Sequence, residues 1–128
     1  MSNKKSSHTE LSDLTERIIS CIMNVHSTLG PGFLEGIYHR ALMIELKKND
    51  IPAESEKEVT VHYEGEEVGL HRIDILVDDE VILELKTVEQ LNRAHYGQLR
   101  SYLKATGLKI GLLVNFSKER ADFRRIEM

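Results

Sequence analysis

Within residues 72–86, Arg-Ile-Asp-Ile-Leu-Val-Asp-Asp-Glu-Val-Ile-Leu-Glu-Leu-Lys, two apolar runs flank a short acidic turn. Asp74, Glu84 and Lys86 interrupt those runs where apolar side chains are expected. A charge in such a run is costly unless it is paired or holds a metal. Local fold rules tend to be broken at functional sites. Side chains alternate faces along a strand, so Glu84 and Lys86 share one face and Leu85 points away. If 72–77 and 81–86 form a hairpin, loop length decides where Asp74 points. A two-residue loop, Asp78-Asp79, sets Asp74 across from Leu83. A three-residue loop, Asp78-Asp79-Glu80, sets it across from Glu84. Two facing carboxylates repel, so the odd register implies a cation between them. That register and a divalent metal are the expectation here, although the turn lacks the glycine a three-residue loop usually carries. The alternative is an exposed hairpin face with a cross-strand ion pair, an arrangement worth little energetically.

Further polar groups lie where helices could bring them to this hairpin. Glu35 and Tyr38 are one turn apart on an expected helix over 33–48. His95, Gln98 and Tyr102 fall at i, i+3 and i+7 on an expected helix over 92–106, hence on one face. That helix directly follows the strand carrying Glu84 and Lys86, and short connections favour close packing. Each also has a plainer reading. Glu35 suits the positive end of a helix dipole, Tyr38 suits a core with its hydroxyl at the edge, and Gln98 and Tyr102 suit an ordinary amphipathic face. A lone histidine such as His95 is more often satisfied structurally than a ligand.

The surrounding elements follow from periodicity. Leu11, Leu14, Ile18, Ile22, Val25 and Leu29 recur at helical spacing. Ser12 or Asp13 can cap that helix, with Asp13 and Glu16 forming a capping box, and Gly30-Pro31 stops it. The second helix carries an apolar stripe of Leu34, Tyr38, Ala41, Leu42 and Leu46, and ends at Asn49, Asp50 and Pro52. Strands are expected at 58–63, 68–77 with a bulge marked by Gly69, and 81–86. The helix over 92–106 is capped by Asn92 and stopped by Gly107. An apolar run over 110–116 reads as a strand buried on both faces, and 122–127 could add an edge strand. The fold class is therefore α/β, a mixed central β-sheet flanked by helices in the order α-α-β-β-β-α-β. Residues 1–10 read as a loose polar leader and 11–128 as a single domain.

Composition bounds the function. A hydrophobic content of 41% with 30% charged residues fits a soluble globular protein. No stretch reads as a membrane span or secretory signal, which points to a cytoplasmic protein without membrane partners. The single cysteine, Cys21, excludes an intramolecular disulfide and sits in a helical apolar pattern as a small buried hydrophobe. The net charge of −4 argues against tight, non-specific nucleic-acid binding, but leaves room for metal-assisted contact. His71-Arg72 adjoins the site strand and could meet phosphate. The basic residues Lys118, Arg120, Arg124 and Arg125 are diluted by acids and read as a solvated face.

The sequence resembles a known family at these residues. Asp74 followed by Glu84-Leu85-Lys86 on the next strand looks like the PD-(D/E)XK nuclease superfamily, with Ile73 in place of the proline often found before the aspartate. Gln98-x-x-x-Tyr102 resembles its RecB-like branch. Gly32-Phe-Leu-Glu35-Gly-Ile-Tyr38 is similar to the signature of the GxxExxY protein family, as are 29–38 and 107–116 more broadly. The resemblance spans roughly residues 11–126. It implies a restriction-endonuclease-like core and a Mg2+- or Mn2+-dependent nuclease acting on nucleic acid, DNA first. Asp74, Glu84, the Leu85 backbone carbonyl and Glu35 would hold the metal. Lys86 would activate water. Gln98, Tyr102, Tyr38 and His95 would support the site or touch nucleic acid. The alternative is a non-catalytic nuclease-fold module that binds nucleic acid or a protein partner. A homodimer would let two sites act on two strands.

Overall fold

A computed structural model describes residues 6–128. The chain runs α1 (His8–Leu29), α2 (Glu35–Lys48), β1 (Ala53–Tyr63), β2 (Glu66–Val77), β3 (Val81–Lys86), α3 (Arg93–Thr106), β4 (Ile110–Asn115) and β5 (Asp122–Glu127). The five strands form one sheet in chain order. Neighbours are antiparallel except β3 and β4, which run parallel because α3 carries the chain back between them. This is the expected mixed sheet, and the weakly marked last strand is present. All of β4 is buried, as the apolar run predicts.

Two apolar layers sandwich the sheet. Ile18, Ile22, Tyr38, Leu42 and Leu46 of α1 and α2 pack on Ile75, Val77, Leu83, Leu85, Leu112 and Val114. On the other face, Leu99, Tyr102 and Leu103 of α3 pack on Ile73, Leu76, Ile82 and Leu113. Cys21 is buried in the first layer. The layers fix which way the polar residues of β3 point. Leu83 and Leu85 face α1 and α2, so Glu84, in phase with Ile82, faces the α3 side, and Lys86 follows it.

Several boundaries differ from expectation. α1 begins at His8, so residues 8–10 belong to the helix; residues 1–5 of the expected leader lie outside the described residues. Its cap is Ser7, in a capping box with Glu10, and the Asp13–Glu16 pair lies inside the helix. Ser6 is also tied down, donating to the Glu80 carboxylate from its backbone N–H at 2.9 Å and its hydroxyl at 2.7 Å. Leu34 is not part of the apolar stripe: it is the extended N-cap of α2, outside the helical period, and 78% exposed. β1 starts at Ala53, well before residue 58, because the polar 53–57 segment pairs with the buried end of β2 from Ala53↔Val77 onward. The ladder shifts between Val61, opposite Gly69, and His62, opposite Glu67, which leaves Val68 as the extra residue beside the expected Gly69.

Gly111 lets α3 lie close to the sheet: a Cβ there would sit 2.7 Å from Leu99 Cδ1. Gly111→Val should therefore push α3 outward and cost about 1–3 kcal/mol, the usual range for overpacking. Urea unfolding of both proteins measures the difference.

Candidate active site

The hairpin takes the odd register. Val77 pairs with Val81, Leu76 with Ile82 and Ile75 with Leu83, which sets Asp74 across from Glu84. The loop manages without glycine because Asp78 and Asp79 both adopt left-handed φ values, 52° and 56°, a region aspartate tolerates better than most residues. Below Ile75–Leu83 the carboxylates replace the regular ladder. The Leu85 N–H donates to Asp74 Oδ2 at 2.8 Å, and the Asp74 N–H donates to Glu84 Oε1 at 3.1 Å. Each acid thus satisfies a backbone donor of the opposite strand.

β2 is irregular at this point. Ser55↔Ile75 and Lys57↔Ile73 pair across β1, with no pair at Glu56 and Asp74, and Glu56 holds φ at 53°. Ile73 and Leu76 both join the α3 layer while Ile75 and Val77 join the other. The alternation therefore slips at Asp74. A strained residue of this kind marks a place that the surrounding structure over-determines.

Glu84 is only 2% exposed. Burial, then the neighbouring Asp74 charge, pushes its carboxyl up to about 8, against the pull of the Asp74 N–H and the Lys86 ammonium. Tyr102 of α3, 5% exposed, is pushed up to about 12 by burial and then by Glu84 and Asp74. It meets the pair as a neutral hydroxyl. Glu35 opens α2 and is solvent-exposed. Its carboxyl is nevertheless raised, first by partial burial and then by Asp74, while Lys86 and His39 lower it. Asp74, Glu84, Lys86, Glu35 and Tyr102 therefore form one electrostatic group.

The other expected residues behave differently. Tyr38 is fully buried and cannot touch nucleic acid. It stacks on Phe116 with ring centroids 4.4 Å apart. Its hydroxyl donates to the Gly30 carbonyl at 2.5 Å and accepts the Phe33 N–H at 3.2 Å. Tyr38 thereby staples the loop through Gly32, whose φ of 109° suits glycine, and this loop delivers Glu35 to the site. His95 completes the α3 capping box, its Nδ1 accepting the Asn92 N–H at 3.1 Å, and so has a structural role. Gln98 is exposed, one turn before Tyr102. Leu85 enters the site through its N–H.

Asn115 was not singled out by the sequence reading, yet it fixes the chain just past Lys86. Fully buried and paired with Lys86 across the parallel ladder, it donates from Nδ2 to the Val88 carbonyl at 2.8 Å and accepts the Val88 N–H at 3.1 Å. The available signal was a polar residue inside an apolar run, the same one that marks Asp74. Among the described residues no three His, Cys, Asp or Glu side chains converge to hold a metal ion, so Glu35 does not close a three-carboxylate cage with Asp74 and Glu84. No helix among them is long and apolar enough to cross a membrane.

The Glu84 shift has a measurable consequence. Between about pH 4.5 and 8 the folded carboxyl keeps a proton that the unfolded chain has lost, so folding stability falls as pH rises, by at most about 1.4 kcal/mol per unit. In EDTA, the melting temperature of wild type should drop across this window, and that of Glu84→Gln should drop less. Parallel profiles for the two proteins would contradict the assignment.

The family profile of the PD-(D/E)XK nuclease superfamily matches residues 12–126. Among solved structures, the chain is similar to the crystal structure of SSO0001, with 25% sequence identity and a TM-score of 0.58. The similarity covers 91% of this chain and 59% of that longer one. No curated protein matches the chain.

Proposed function

The chain belongs to the PD-(D/E)XK nuclease superfamily, and on that premise we propose that it is a Mg2+- or Mn2+-dependent nuclease that hydrolyses DNA phosphodiester bonds. Within the superfamily we assign it to the GxxExxY proteins of the RecB-like branch. The loop stapled by Tyr38 and the position of Tyr102 against the carboxylates support that assignment.

The observation that carries the reading is the facing Asp74–Glu84 pair, with Glu84 buried and Asp74 half-buried. Two carboxylates held this close, with Glu84 strongly disfavoured as an anion, fit an oxygen-preferring divalent ion whose charge would offset both. Asp74 and Glu84 would hold it, with the Leu85 carbonyl and with Glu35 directly or through water. Mg2+ commonly uses one or two carboxylates and completes its shell with water and substrate phosphate, so a third converging side chain is not required. When bound, the ion polarises the scissile phosphodiester and lowers the pKa of the attacking water.

The protein's own groups do the rest. Lys86, on the same face of β3 as Glu84, orients the water and neutralises the phosphate. Tyr102 keeps its proton and donates it as a hydrogen bond. Gln98, exposed one turn away, contacts the nucleic-acid backbone. Asp74→Asn preserves an acceptor for the Leu85 N–H, and Lys86→Ala removes the ammonium with its aliphatic stem. Each should lower Mg2+-dependent cleavage of DNA by about a hundredfold or more while the melting temperature stays near that of wild type. Cleavage unaffected by both would refute the site. Binding of DNA by wild type without any cleavage would instead identify a non-catalytic nuclease-fold module.

A further inference from the structure

A cavity lies between β1, β2 and α3, on the α3 side of the sheet. It has a volume of about 360 Å3 and is lined by Val61 and His62 of β1, His71 of β2, and Ser101, Lys104 and Ala105 of α3. The His62 imidazole and the Lys104 ammonium thus line the cavity beside His71 and Ser101, with no carboxylate in the lining. That donor-rich set suits an anion.

His71 is held in place. The Ser101 hydroxyl gives its one hydrogen to the Gln98 carbonyl at 2.6 Å. The 3.3 Å contact between Ser101 Oγ and His71 Nε2 therefore needs a hydrogen on Nε2. The same imidazole stands edge-on to Tyr102, with ring centroids 4.5 Å apart. Tyr102 in turn feels the charges of Glu84 and Asp74. His71 also precedes Asp74 by three residues on β2, about 10 Å along a strand. That is roughly three nucleotides of duplex rise at about 3.4 Å each. The cavity therefore lies within reach of a strand whose scissile bond sits at Asp74.

We propose that the cavity lined by His62, His71, Ser101 and Lys104 is a phosphate subsite that holds a backbone phosphate of the nucleic acid cut at the Asp74–Glu84–Lys86 site. The subsite rests on the nuclease reading for its ligand but not for its chemistry. Lys104 supplies the charge, His62 supplies an N–H donor, and His71, braced by Ser101 and Tyr102, forms the wall with Val61 and Ala105. Such a contact sets register and carries no base specificity.

The test is binding of a short double-stranded DNA oligonucleotide to the full chain without divalent metal, where nothing is cut. Fluorescence anisotropy at several salt concentrations would be run on wild type, Lys104→Ala and Ala105→Glu. Both changes are on α3 and use good helix formers. The subsite predicts about tenfold weaker binding for Lys104→Ala, a salt slope reduced by about one, and a larger loss for Ala105→Glu, which puts a carboxylate into the cavity. Histidine imidazole resonances of His62 and His71 should shift on titration of wild type. Unchanged affinity and slope in both variants, or wild type that does not bind the oligonucleotide, overturns the subsite. Failure of the nuclease reading would register separately, as Mg2+-dependent cleavage that survives Asp74→Asn and Lys86→Ala.

Discussion

The reciprocal bonding of Asp74 and Glu84 to opposite strands constrains the rest of the molecule. Each carboxylate accepts a backbone N–H across the hairpin, so neither can move without leaving a partly buried donor unmet. The two acids are therefore kept together in spite of their repulsion, and burial together with that repulsion leaves Glu84 holding a proton up to about pH 8. The layered fold maintains this state. α1 and α2 bury Leu83 and Leu85 on one side, which commits Glu84 to the other, and α3 closes over it with Tyr102.

Positioning of the remaining groups is indirect. Glu35 arrives because Tyr38, locked between Phe116 and the Gly30–Phe33 loop, fixes the entry to α2. Lys86 is fixed because Asn115 clamps the backbone at Val88. In both cases a fully buried side chain away from the reacting atoms orients a charged one at the surface of the site, which is the support that a preorganised charged site needs.

Much of this was legible in the sequence. The spacing of Asp74 and Glu84 left two loop lengths open, and the expectation of a cation between facing carboxylates selected the register that the hairpin adopts. Periodicity predicted the element order and the mixed sheet, and the apolar run over 110–116 predicted the doubly buried β4. What was not legible has physical causes. Ser7-x-x-Glu10 and Asp13-x-x-Glu16 are competing cap signals, and tertiary contact, including Ser6 on Glu80, favours the earlier one. The start of β1 carries no apolar alternation and forms by pairing with β2. The slip at Glu56 and Asp74 is a backbone event with no side-chain signature. Tyr38 and His95 fall in site-like patterns, but their hydrogen bonds go to a loop and a helix cap.

The central claim is that the facing Asp74–Glu84 carboxylate pair is a cation site. Isothermal titration calorimetry with Mg2+ and Mn2+ at pH 7, in two buffers of different ionisation enthalpy and with Glu84→Ala alongside, tests it most directly. The account predicts binding by wild type with release of about one proton, because the ion displaces the proton held by Glu84, and loss of both signals in the variant. Absence of binding by wild type at millimolar metal, or binding that persists in Glu84→Ala with the same proton release, would contradict it.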